Sequence, residues 1–204
     1  MLHEKDMQAC SYFLDCVKTG VPAYADSLSG DELQRAAELI LKARQSGNRV
    51  HISGIGKPAH LAGYAASLLS STGTPTYFLH GTEAVHGSCG QLVAGDVVIF
   101  ISNSGETQEM LLTVQAVQRN RCQVIGVTGN RDSWLARSSD VHIYAGTPVE
   151  GGPLNRAPRM SILVEMIAIQ ALSVLLQEHA QISPQQYVRW HPGGKLGALW
   201  EDEK

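Results

Sequence analysis

The stretch VVIFISNSGETQEM, residues 97–110, decides the fold. Its first half is apolar without alternation, as a strand must be when helices cover both faces of a parallel sheet. Its second half is small, polar and Gly-containing, and it feeds a helical stretch, Gln108–Arg119. The same rhythm repeats on either side. Strands are expected at Val50–Ser53, Thr76–Leu79, Val97–Ser102, Gln123–Thr128 and Val141–Tyr144, with helical segments near Ala59–Ser71, Gln108–Arg119 and Ser133–Ser138. Five strands joined by right-handed helical crossovers make an α/β protein, a doubly wound three-layer αβα sandwich on a five-stranded parallel sheet.

Two helices precede that core. The second carries Leu33, Ala36, Ala37, Ile40 and Leu41 at i, i+3, i+4, i+7 and i+8 behind a Ser29/Glu32 capping box, and Gly47-Asn48 stops it. A long amphipathic helix is expected over Met160–Glu178, followed by a turn-rich tail, YVRWHPGGKLG. No low-complexity linker divides the chain. A single domain over 1–204 is expected, with 1–48 as helices packing on the sandwich and 49–204 as core and tail.

Composition narrows the function. The chain has 204 residues, 44% hydrophobic and 17% charged, with 16 Lys+Arg against 19 Asp+Glu and a net charge of −3. A mildly acidic chain does not suit a nucleic-acid partner, which asks for a basic face. The first residues, MLHEKDMQAC, carry charges and no apolar core, so no signal peptide is expected. The most apolar run, Ile162–Leu176, contains Glu165 and Gln170 and is shorter than a membrane span, so no membrane association is expected. Cys10, Cys16, Cys89 and Cys122 show neither a CxxC pair nor zinc-ligand spacing, and are read as reduced thiols of a cytoplasmic protein.

In the flavodoxin-like strand order 2-1-3-4-5, ligands bind between the first and third strands, beyond their carboxyl ends. Those strands lead into SGIGKP (Ser53–Pro58) and SNSGET (Ser102–Thr107). Small residues, converging N–H groups and a helix start suit an anion. Gly56, Ser102, Asn103, Ser104 and Thr107 are the candidate phosphate contacts. GIGKP is not a Walker loop, since Pro58 follows the Lys. It matches G-x-G-x-x-A through Gly54, Gly56 and Ala59, yet the second strand ends at Leu79-His80 without the acid that a dinucleotide ribose needs.

SNSGET after an apolar strand, joined to GxGK after the first, resembles the sugar isomerase (SIS) domain family. GTPTYFLHGTEAVHG (Gly73–Gly87), VEGGPLNRAP (Val149–Pro158) and WHPGGKLG (Trp190–Gly197) are similar to segments of its D-arabinose-5-phosphate isomerases. The resemblance runs from Arg49 to Gly197. It implies an aldose–ketose isomerase of the arabinose 5-phosphate type, working through an enediol with no metal and no other cofactor. Its site would be Lys57, His86, Glu106, Glu150 and His191, with the serine loop on the phosphate. It further implies a homotetramer in which His191 reaches a neighbour's pocket, and a role in making a Kdo precursor. Longer members carry paired CBS domains, and the form expected here lacks them. Pro58, Ser88 and Arg159 depart from the family pattern and leave the identity of the sugar open.

The residue types suit the chemistry. Moving hydrogen between C1 and C2 needs a base at carbon and an acid at oxygen, and His and Glu can be brought near neutrality for both tasks. His86 and His191 are the expected acid/base pair, with Glu150 and Glu106 orienting them or serving as bases, and Lys57 as a fixed charge on phosphate or enediolate. Structural readings stand beside these. Glu106 suits a helix N-terminus, His191 the end of a helix, and Glu83/His86 half of a metal site. His51, His60, His80 and His142 read as structural. Arg156 and Arg159 either reach the phosphate or are simply solvated. Rival functions are a phosphosugar sensor and an isomerase of a hexulose or sedoheptulose phosphate. The first 46 residues hold 5 Lys/Arg and 7 Asp/Glu, the wrong sign for a DNA-binding arm. The apolar faces of the first two helices, with Trp190 and Trp200, favour an oligomer.

Overall fold

A computed structural model describes residues 2–200 and 203. The elements run α1 (Glu4–Ser27), α2 (Gly30–Gln45), β1 (Val50–Gly54), α3 (Lys57–Ser71), β2 (Thr76–Phe78), β3 (Val97–Ile101), α4 (Gln108–Arg119), β4 (Gln123–Thr128), α5 (Trp134–Ser138), β5 (Val141–Tyr144), α6 (Met160–Ala180) and α7 (Pro184–Trp190). One-turn 3₁₀ helices lie at Glu83–His86, Ser88–Gln91 and Lys195–Gly197. All strand pairs are parallel, in the order β2-β1-β3-β4-β5. The expected sandwich and its strand order are therefore present. The dinucleotide fold uses a different order, 3-2-1-4-5-6.

Strand alternation divides the core. Val50, Ile52, Val97, Ile99, Ile101, Ile125, Val127 and Ile143 pack with α2, α3 and α6 on one face. Val98, Phe100 and Val124 pack with α4, Leu135 of α5 and Leu79 on the other. Burying a strand on both sides explains why VVIFI carries no polar alternation.

Four expectations need correction. Helix α6 is not amphipathic. It is apolar almost all round because it lies on the sheet with α1, α2 and α3 packed along its flanks, while Val174 and Leu175 stay exposed. Its 21 residues also make it long and apolar enough to cross a membrane, so the length argument against a span fails. Its place in the core rests on packing and on buried Ser161, Glu165 and Ser173. The capping box of α2 is only half formed: Ser29 Oγ accepts the Glu32 N–H at 3.3 Å, but the Glu32 carboxylate turns away. It accepts the Tyr144 N–H at 2.8 Å and pairs with Arg131, tying α2 to β5. Finally, the tail holds a helix, α7, whose Ser183 N-cap accepts the Gln186 N–H at 3.2 Å.

At the edge where the strands begin, Asp96 joins β1 to β3. Its buried carboxylate accepts the N–H groups of Arg49 (2.8 Å) and Val93 (3.0 Å) and lies 3.2 Å from His51 Nε2. Burial would raise its pKa, but those N–H groups and the neighbouring His51 and Arg49 hold it below the usual carboxylate range. Burial pushes the His51 pKa down, against the attraction of Asp96. His51 is structural, as expected.

Candidate active site

Gly54 of β1 pairs with Ile101 of β3, so the two polar loops leave the sheet side by side, about one strand spacing (~4.8 Å) apart. This is where strand order reverses. Gly56 caps α3 at φ +65, a backbone that favours glycine, and leaves open space beside it; Lys57 follows as the first residue of the helix.

The SNSGET loop is braced from within and from the next turn. Ser102 Oγ accepts the Gly105 N–H at 3.2 Å and Ser104 Oγ accepts the Glu106 N–H at 3.3 Å. Accepting leaves both hydroxyl protons available to an anion. The Asn103 carbonyl accepts the Gly129 N–H at 2.9 Å, and the Gly105 carbonyl accepts the Leu135 N–H at 3.1 Å. Gly105 has φ +66, and any Cβ there would run into the Ser133 side chain, so only glycine fits. Ser102 is buried, Asn103 and Ser104 are exposed, and Thr107 caps α4 through its backbone alone.

Both candidate carboxylates hold helix starts. Glu106 Oε1 accepts the Trp134 N–H at 2.7 Å, so it caps α5 rather than its own helix. Glu150 Oε2 accepts the N–H groups of Arg159 (2.7 Å) and Ser161 (3.1 Å) and caps α6. Its own N–H donates to Asn155 Oδ1 at 2.6 Å, which closes the loop on itself. That loop faces Lys57 across a cleft of about 560 Å³ lined by Pro153, Leu154, Arg156, Ala157, Pro158 and Arg159.

The two histidines are placed differently. His86 ends the 3₁₀ turn after β2, exposed, and its ring has no hydrogen-bond partner among the described residues. Glu83 starts the same turn, and no metal-binding group of three forms among the described residues. His191 follows α7, with Nδ1 2.8 Å from the Tyr187 carbonyl and its ring stacked on Tyr187 at 4.0 Å. Neighbouring Trp190 packs near Gly73, just before β2, at the edge where strands begin. Helix α6 spans about 30 Å between Glu150 and that edge. Within one chain, Lys57, the Glu150 loop and the serine loop share an end of the sheet, and His191 lies at the other.

Glu165 escaped the sequence reading as a functional candidate. It is fully buried one turn beyond Ser161, and neither its oxygens nor the Ser161 hydroxyl has a hydrogen-bond partner among the described residues. Burial first, and the Glu150 charge second, push its pKa up to about 8. A lone acid inside ILVEMIAI was the available signal.

Fold and loops define an open α/β protein whose small polar loops meet at the reversal of strand order. The family model of the SIS domain matches residues 34–175, and the chain belongs to that family. It is 38% identical over 168 residues to the arabinose 5-phosphate isomerase KdsD of Pseudomonas aeruginosa, covering 82% of this chain and 51% of that protein. KdsD of Yersinia pestis is 32% identical over 190 residues, covering 93% of this chain and 57% of that one. The chain thus spans little more than half the length of these curated relatives. A solved structure of an Escherichia coli CFT073 protein in complex with arabinose 5-phosphate superposes with a TM-score of 0.82 at 32% identity, covering 94% of this chain and 100% of that one.

Proposed function

We propose that this chain is an aldose–ketose isomerase of sugar phosphates, converting D-arabinose 5-phosphate to D-ribulose 5-phosphate through an enediol. One observation carries the proposal. Lys57 and the Glu150 loop line a single cleft beside a serine loop with free hydroxyl protons, in a chain 38% identical to a protein named arabinose 5-phosphate isomerase. Ser102, Asn103, Ser104, Thr107 and Gly56 hold the phosphate, and Lys57 steadies the enediolate oxygen. His86, with an unengaged ring, and His191 exchange protons with substrate. Glu106 and Glu150 act from their helix caps, orienting the pocket wall.

His191 stands at the opposite end of its own α6 from Lys57, so His191 of a partner subunit completes the pocket. A homotetramer supplies it, and the exposed Val174 and Leu175 of α6, with Trp190, provide apolar contact surface. The chain works as one SIS unit in the cytoplasm, without nucleic acid or membrane, and feeds a Kdo precursor pathway. The test is NMR of purified protein in deuterated water with arabinose 5-phosphate, ribulose 5-phosphate and a hexulose phosphate. Exchange of the C2 hydrogen of arabinose 5-phosphate and of one C1 hydrogen of ribulose 5-phosphate is expected. Exchange with the hexulose phosphate alone moves the substrate, and exchange with none leaves a phosphosugar receptor.

A further inference from the structure

Arg156 and Arg159 line the same cleft as Lys57, and none of the three side chains forms an ion pair or a side-chain hydrogen bond among the described residues. Among the described residues neither nearby acid forms an ion pair with them. Glu150 is committed to two N–H groups at the start of α6, and Glu165 is buried away from solvent. The Arg159 guanidinium rests against Gly152, where a Cβ would strike it. The rest of the lining is Pro153, Leu154, Ala157 and Pro158, which offer no side-chain acceptor. Two guanidinium forks and an ammonium in an otherwise apolar cleft select an anion, and carboxylate or phosphate oxygens match the fork geometry. The serine loop one strand away already provides for one phosphate.

Building on the isomerase reading, we infer that Lys57, Arg156 and Arg159 form a second anion subsite. It takes phosphosugars that carry another anionic group, a carboxylate or a second phosphate, remote from the phosphate held by the serine loop. The cleft's 560 Å³ lies within the range that holds small ligands. Arg156 and Arg159 provide the specificity, and Lys57 is shared with the reacting end of the sugar.

Binding rather than turnover tests this. Calorimetry compares fructose 1,6-bisphosphate with fructose 6-phosphate, and 6-phosphogluconate with glucitol 6-phosphate, on wild type, Arg156→Gln and Arg159→Gln. The second anion is expected to tighten binding at least about tenfold, an advantage that each variant reduces and added salt weakens. A gain in the bisphosphate pair alone identifies the second group as phosphate, and a gain in the gluconate pair alone as carboxylate. Equal affinity within both pairs overturns the inference and leaves the isomerase reading intact. An equal loss for singly and doubly charged ligands on mutation also overturns it, by assigning the arginines to the first phosphate. If no phosphosugar binds, both readings fall. Circular dichroism confirms folding, and should Arg159→Gln not fold, exposed Arg156 decides the outcome alone.

Discussion

Replacing Glu165 by Gln isolates the free energy stored in one buried carboxyl. In the folded chain its pKa stands near 8 against an ordinary 4.5, so the folded state keeps a proton that the unfolded chain has already released. A raised acid pKa makes stability greatest below pH 4.5 and lets it decline as pH climbs towards 8. At 1.36 kcal/mol per pH unit, the carboxyl costs the protein roughly 2–3 kcal/mol between pH 6 and pH 8.5. Glutamine carries no proton to lose, and both oxygens already lack partners, so the amide forfeits no hydrogen bond. Urea unfolding of both proteins at several pH values and one protein concentration gives two curves whose difference cancels every shared titrating group. The margin by which Glu165→Gln exceeds wild type should grow by roughly 2–3 kcal/mol between pH 6 and pH 8.5. Parallel curves would refute the reasoning and show that the carboxyl finds a partner or water in solution.

Truncating Glu150 to Ala uncaps α6 and should cost about 1–2 kcal/mol, seen by calorimetry as a Tm some 2–8 °C lower. Asp96→Asn removes the charge that two N–H groups and His51 face, and a loss of about 3 kcal/mol is expected by denaturant titration. In wild type, Asp96 and His51 both have lowered pKa values, so their contribution is present above their unfolded values and disappears on acidification; a pH titration of Asp96→Asn should show a flatter acid limb. His191→Ala should lower kcat at least about tenfold if the ring transfers a proton, and turnover equal to wild type removes it from the reaction. A mass near 22 kDa by light scattering would contradict the shared site, since one chain keeps His191 far from Lys57.

What the sequence disclosed follows from range of interaction. Strands β3 and β4 declare themselves through runs of apolar residues, and the loops beyond β1 and β3 through small polar residues, because both signals are local. Glu106 illustrates the opposite case. It stands four residues beyond Ser102, yet its acceptor role is met by Trp134, 28 residues away on the far side of β4. Glu32 behaves likewise, leaving a local capping box for Tyr144 and Arg131. The all-round apolarity of α6 was visible as composition. Its cause, helices packing along several flanks, depends on tertiary neighbours that periodicity does not report. Arg156 and Arg159 read either as phosphate contacts or as solvated loop charges until the cleft put Lys57 opposite them.

The bracing of the SNSGET loop has an energetic consequence for any ligand. Gly105 wedged on Ser133, Glu106 latched to the Trp134 amide and Asn103 bonded to Gly129 hold the loop ready before anything arrives. Docking there spends little conformational entropy, so a phosphate should be captured with almost equal strength whatever sugar it is attached to. Discrimination between one carbohydrate and another must then fall to the opposite wall, where side chains remain free to choose.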